Sequence, residues 1–291
     1  MDRYTLTRDG LTVEVKADGA ELCSLQDADG HEYIWQALPV WPRHAPVLFP
    51  IVGRLKDDTL RHAGRTYRLT QHGFARDRRF ALAGRSDGSC RLLLIDDDAT
   101  RAIYPFAFRF EVAYAIESGG LTATFTINNP ADTVLPASMG AHPAFRWPLL
   151  DGIPKDAHAL TFEHDEPGPL RGVSDGLLTP ANRPSPIVNG ILALRPELFT
   201  ADALILEHPA SRWVRFGAPG APALRVSWKG FRELGIWMRL GGDFLCIEPW
   251  LGMASPTDFD GDIMDKPGIV QIPPGGSVTA TLHIATERTH P

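Results

Sequence analysis

Hydrophobic and polar residues alternate with a period of two along most of this chain. The pattern runs through LTVEVKA (11–17), RLLLI (91–95), FRFEVAYAI (108–116), LTATFTINN (121–129), ALILEH (203–208), ALRVSW (223–228), LGIWMRL (234–240) and SVTATLHIAT (277–286). These segments are short and rich in β-branched and aromatic side chains, and most are bounded by Gly, Pro, Asn or Asp, as strands joined by turns are. With 27 Gly and 25 Pro spread through the chain, long helices have little room. The pattern predicts an all-β protein. Many closely spaced strands, without a glycine-rich phosphate loop or alternating helices, favour a large sandwich or barrel over a nucleotide-binding α/β fold. The stretch 165–190, DEPGPLRGVSDGLLTPANRPSPIVNG, has the composition of a linker. Strand-like segments flank it on both sides, so it reads as a long surface excursion within a single domain spanning 1–291.

Polar and ionisable residues interrupt the pattern where core would be expected. In PVLFPIVGRLKDD (46–58), Arg54 follows an apolar run and a glycine. It is either a solvated strand end or a planar fork of donors able to hold neighbouring hydroxyls or a carboxylate. His72 in LTQHGFARDRRF sits at a turn, and His142 in MGAHPAFRWP lies between small residues and a proline that fixes the backbone. Such a histidine has a directed ring for chemistry or is a structural residue satisfied by a carbonyl. In FLCIEPW (244–250) a carboxylate ends an apolar run, where burial is costly unless the group is hydrogen-bonded or useful. Pro249 removes a ladder donor directly afterwards, which predicts a strand end or bulge at Glu248. One carboxylate and one histidine suffice for a general base and a general acid. Trp250, Phe145 and Trp147 offer faces for a sugar ring, or are core.

Composition narrows the function classes. The chain has 291 residues, 44% of them hydrophobic, enough for a sizeable core. A formal charge of −6 with dispersed Lys and Arg gives no footprint for nucleic acid. MDRYTLTRDGLTVEV lacks the layout of a secretory signal, and no apolar run reaches the roughly 18 residues that span a bilayer. The expectation is a cytoplasmic protein without a membrane partner. Cys23, Cys90 and Cys246 show no metal or disulfide spacing and read as small buried hydrophobes. No metal motif is evident, and no coiled-coil seam speaks for a particular oligomer.

FPIVGRLKDD, QHGFARD, GAHPAF, LFTADALIL, GIW and CIEPWLGMASP occur in the order in which the aldose 1-epimerases, or mutarotases, carry them, and the chain resembles the LacX-like branch of that family. The resemblance extends from about residue 10 to 285. It implies a β-supersandwich with a sugar in an open cleft, and interconversion of the α and β anomers of an aldohexose by ring opening and reclosure, without a cofactor. It implies Glu248 as general base on the anomeric hydroxyl and His142 as general acid on the ring oxygen. Arg54, His72 and Asp202 match positions that bind the sugar, and Trp250 is the expected stacking face. The segment around Arg54 is shorter than in galactose mutarotases, so galactose preference does not follow. A hexose 6-phosphate epimerase shares the fold, with Lys56, Arg76, Arg78 and Arg79 as phosphate candidates, although DRR also reads as a solvated turn. Two further readings are a non-catalytic carbohydrate-binding module and a glycosidase, which would want a second carboxylate, for which Asp202 is the candidate.

Overall fold

The computed structural model describes residues 2–287. Each alternating segment of the sequence contains a strand. LTVEVKA forms Leu11–Lys16, with buried and half-buried positions in strict alternation, and FRFEVAYAI forms Arg109–Glu117 in the same way. Among the described residues the α-helix is the single turn Asp98–Arg101, capped by Asp97, whose carboxylate accepts from Thr100 N at 2.7 Å. No helix of the described residues is long and apolar enough to cross a membrane.

Two large antiparallel sheets carry the architecture. The nine-stranded sheet runs, in spatial order, Ile191–Ala193, Ala159–Phe162, Trp213–Gly217, Ala223–Lys229, Ser277–Glu287, Gly120–Asn128, Arg109–Glu117, Ser89–Ile95 and Ala81–Ser86. The eight-stranded sheet runs Leu177–Arg183, Leu170–Ser174, Leu204–Leu206, Glu233–Trp237, Phe244–Leu251, Met139–Ala141 and Val47–Leu48, with Ala144–Arg146 also paired to Phe244–Leu251. Leu234, Ile236, Leu245 and Ile247 of the smaller sheet share one core cluster with Phe125, Val214, Phe216, Val226 and Ile284 of the larger. A shared core places the inner faces against each other as a sandwich. Leu6, Val13, Val15, Leu22 and Leu25 of a three-stranded sheet join the same cluster.

Phe244–Leu251 explains an apolar run that does not alternate. All of its residues are buried, yet they divide between two environments. Leu245, Ile247 and Leu251 enter the sandwich core, whereas Phe244 and Cys246 join an outer cluster with Trp35, and Trp250 joins another with Leu48 and Ile205. A strand covered on both faces reads as continuous hydrophobicity.

The stretch 165–190 is not an irregular excursion. It contains a hairpin, Leu170–Ser174 with Leu177–Arg183, that extends the eight-stranded sheet. Asp175 and Gly176 form its two-residue turn with φ of 51° and 75°, both in the left-handed region that such turns require. The three cysteines are buried free thiols.

Leu245→Ala removes a fully buried side chain from the shared core. It is expected to cost about 2–5 kcal/mol of unfolding free energy, read as a lower urea midpoint at unchanged denaturant slope.

Candidate active site

The outer face of the eight-stranded sheet carries a cleft of about 900 Å³ whose lining includes Glu248, His142, His72, Asp202 and Trp250. Its centre is set by an interruption in one ladder. Phe244–Leu251 pairs first with Ala144–Arg146, Cys246 opposite Ala144, and then with Met139–Ala141, Trp250 opposite Gly140. The register is the same on both sides of the unpaired stretch, which sets His142 opposite Glu248. Pro143 and Pro249, neither with an N–H to give, follow the two residues within this gap, and both side chains emerge on the cleft face. Glu248 therefore lies inside a continuous strand, not at a strand end or bulge: Ile247 N–H still donates to Pro143 O at 3.3 Å across the gap, and the two prolines remove only the donors that would have completed the ladder there. On the other side Glu248 faces Gly235.

His142 Nε2 and Glu248 Oε2 are 3.2 Å apart, and both residues are buried. Burial pushes the Glu248 carboxyl well above its ordinary range; Asp202 adds to the push, and the Trp250 indole opposes it. Burial likewise drives the His142 imidazole down to about 3, with Arg76 and Arg43 acting in the same direction and a backbone hydrogen bond opposing them. A low-dielectric site disfavours charge on either group, so the pair holds one proton between its nitrogen and oxygen.

Aromatic rings cage the His142 ring. Trp41 stacks on it at 5.2 Å, while Trp237 at 5.8 Å and His72 at 5.7 Å stand edge-on. Glu21 holds the segment that bears Trp41, its Oε1 accepting from the backbone N–H groups of His44 and Ala45 at 2.7 and 2.9 Å. His72 has a φ of 66°, followed by Gly73 at 67°, where a Cβ would stand 2.3 Å from Phe49 O. Glycine is required there. The Gly53 N–H donates to His72 Nδ1 at 3.1 Å. Burial keeps His72 neutral, so Nε2 carries its proton and is a donor. Trp250 lies in a slot made by missing side chains: a Cβ on Gly140 or Gly235 would come within 2.7 or 2.4 Å of the indole.

Arg54 is not brought to the cleft lining. Its Nε and Nη2 are held by Asp58 at 2.7 and 3.2 Å, and its Nη1 donates to Asp175 O of the adjoining turn at 3.3 Å. Arg76 lines the cleft instead, with Nη2 on Gln71 O at 2.7 Å and a buried Nε that makes no hydrogen bond. Burial and the nearby Arg43 lower its pKa to about 10. Of the other basic residues considered for phosphate, Lys56 faces Asp260, Arg78 lies over the Phe74 ring and Arg79 pairs with Asp2 and Asp18. Phe145 and Trp147 belong to the sandwich core, so neither offers a face to the cleft. Trp41, Trp237, Gln71 and Gly176 line it and had no sequence reading. Gly176 had a usable signal in the Asp-Gly pair of its hairpin, and Gln71 and Trp237 lie within the QHGFARD and GIW motifs without having been given a role.

An all-β supersandwich with a histidine and a glutamate facing each other across an open cleft defines the class. The aldose 1-epimerase family model matches residues 2–250, and the chain belongs to that family. Protein LacX (plasmid) of Lactococcus lactis subsp. lactis is 30% identical over 281 residues, covering 92% of this chain and 94% of its own. A galactose mutarotase related enzyme from Lactobacillus acidophilus superposes with a TM-score of 0.92 at 33% identity, covering 99% and 98% of the two chains. A galactose mutarotase-like protein from Lactobacillus casei gives 0.92 at 26% identity, covering 98% of this chain and 100% of its own. The fold is of the galactose mutarotase-like type.

The shared proton has a signature in stability. Between the ordinary values of 4.5 for glutamate and 6.5 for histidine, the unfolded chain carries one proton on these two residues, as the folded pair does, and their contribution is flat. Above pH 6.5 the unfolded chain binds none, so for as long as the raised Glu248 carboxyl keeps its proton in the folded pair, stability falls as pH rises. Below pH 4.5 the unfolded chain binds two, and stability falls with acid down to about pH 3. In Glu248→Gln the alkaline loss is expected to vanish and the acid loss to begin near pH 6.5; urea titrations of both proteins across this range check it.

Proposed function

We propose that the protein is an aldose 1-epimerase acting on an aldohexose, with Glu248 and His142 as its proton-transfer pair. The observation that carries this reading is the 3.2 Å contact between Nε2 and Oε2 on the cleft floor. Ring opening needs a proton removed from the anomeric hydroxyl and one delivered to the ring oxygen, which are bonded to the same carbon. A pyranose placed over the pair puts these two oxygens against neighbouring acceptor and donor. Its own hydroxyls replace their direct contact and bring polarity that moves the proton onto His142. Glu248 then takes the hydroxyl proton while His142 protonates the ring oxygen and the C1–O5 bond breaks. After rotation about C1–C2, the aldehyde recloses on its other face with the two roles exchanged.

The remaining cleft residues position the sugar in this scheme. His72 donates through Nε2, Asp202 accepts from ring hydroxyls, and Trp250 gives an apolar face to the ring. Arg76, not Arg54, supplies the fork of donors. Its buried Nε, which has no hydrogen bond and meets Asp77 Oδ2 only at 3.8 Å, supports a second reading, a hexose 6-phosphate substrate, since a guanidinium in a partly desolvated cleft suits a phosphate.

Polarimetry of freshly dissolved α-D-glucose tests the main reading. The wild type is expected to accelerate the decay of rotation, and Glu248→Gln to lower kcat by about 100-fold or more. Tight sugar binding with no acceleration would favour a binding module instead. For the second reading, an NMR assay of anomer exchange compares glucose with glucose 6-phosphate in wild type and Arg76→Ala. A phosphate-bound substrate predicts a loss of about tenfold or more confined to the phosphorylated sugar. An equal loss with both sugars assigns Arg76 to hydroxyls.

A further inference from the structure

The proton-transfer pair has a third potential donor beside it that the proposed reaction does not use. Cys246 precedes Glu248 by two residues on one strand, so its side chain emerges on the same face. It is buried in the outer cluster with Trp35, Ala144 and Phe244, against Trp41 and Trp237. The Cys246 sulfur, a ring nitrogen of His142 and a carboxylate oxygen of Glu248 lie within 4.8 Å of one another.

We propose that His142, Cys246 and Glu248 form a binding site for a borderline-soft divalent cation of the zinc class, and that cation and sugar exclude one another. Thiolate, imidazole and carboxylate bind zinc at about 2.3, 2.0 and 2.0–2.2 Å, and a tetrahedron of those bonds spaces its donors roughly 3.3–3.6 Å apart. The His142–Glu248 pair stands close to that spacing already at 3.2 Å. Side-chain adjustment brings the sulfur into range, because the three donor atoms already lie within 4.8 Å of one another. A fourth position opens toward the cleft, where water or a hydroxyl completes the coordination. Asp202 adds negative charge near Glu248. The ring cage of Trp41, Trp237 and His72 limits water around the ligands, which strengthens the attraction of a cation for them. One carboxylate with one nitrogen and one sulfur is a poor site for magnesium or calcium, which require oxygen. The other grouping of donors, Asp27, Asp29 and His31, differs because both Asp27 oxygens already accept hydrogen bonds from His31, Tyr33 and the Asp29 backbone.

Binding is a ligand exchange without redox change. The Cys246 S–H bond breaks as the metal–sulfur bond forms, and the proton shared by His142 and Glu248 leaves as they take up the metal. Both protons pass to buffer. Occupancy does not depend on the reaction proposed above; only its effect on turnover does.

Cadmium is the probe. Titration of the intact protein is expected to give a thiolate-to-cadmium charge-transfer band saturating at about one equivalent, displaced by excess sugar and absent from Cys246→Ser and Cys246→Ala. Under the same conditions zinc inhibits wild-type mutarotation, chelation restores it, and magnesium has no effect. Either cysteine variant keeps the basal rate and needs about tenfold or more zinc for half-inhibition. No band in the wild type, a band that survives both substitutions, or equal zinc sensitivity in all three proteins overturns the proposal. A band from a protein that does not accelerate mutarotation keeps the metal site and removes the epimerase reading. Acceleration without a band does the reverse.

Discussion

Two ionisable groups facing each other inside a low-dielectric wall are the constraint around which this molecule is organised. Neither Glu248 nor His142 can hold a full charge cheaply where it sits. Together they can hold one proton, because each offers the other a partner. The rest of the cleft follows from keeping that arrangement dry and fixed. Pro143 and Pro249 remove two ladder donors around the one pair of positions where side chains must meet, and the unchanged register on both sides removes any freedom to slip. Glycines 140 and 235 leave space for the Trp250 indole beside the carboxyl.

The second layer of support is aromatic. The Nδ1 of His142 has no partner beyond its own residue, so the ring is oriented by the Glu248 contact at Nε2 and by the rings against its faces and edges. That support reaches beyond the cleft. Trp41 depends on a segment whose backbone is held by Glu21, and Glu21 is in turn paired with Lys16 in the three-stranded sheet. Hydrogen bonds far from the site thereby set the pose of an imidazole within it.

The alternating strands were legible because their two faces meet different surroundings, core on one side and water on the other. Glu248, His142, His72 and Trp250 stood out as polar or aromatic residues in rigid or apolar contexts, Asp202 came only from the family resemblance, and all five share one cleft in the structure. The rest was hidden for identifiable reasons. In Phe244–Leu251 both faces are covered, which erases the period. The hairpin after residue 169 was masked by Pro and Gly content, although its Asp-Gly turn was in plain view. Arg54 and Arg76 each follow a short apolar or aromatic stretch, and only tertiary structure decides that Asp58 claims the first while the second faces the cleft. Trp41 carries no local signal at all, since its place on His142 arises from a loop folding back over a sheet.

The location of the reacting pair also bears on how the molecule fails. Many sites are assembled from loops, which open locally at far lower cost than the scaffold that carries them. Here Glu248 lies on a strand whose alternate residues are embedded in the principal core, and His142 lies in the gap between two short strands paired to it. The floor of the cleft, unlike the loops that bring Trp41 and His72 to its walls, has no softer unit of its own to melt. The cleft floor and the sandwich share one core, so losing the sandwich takes the floor with it.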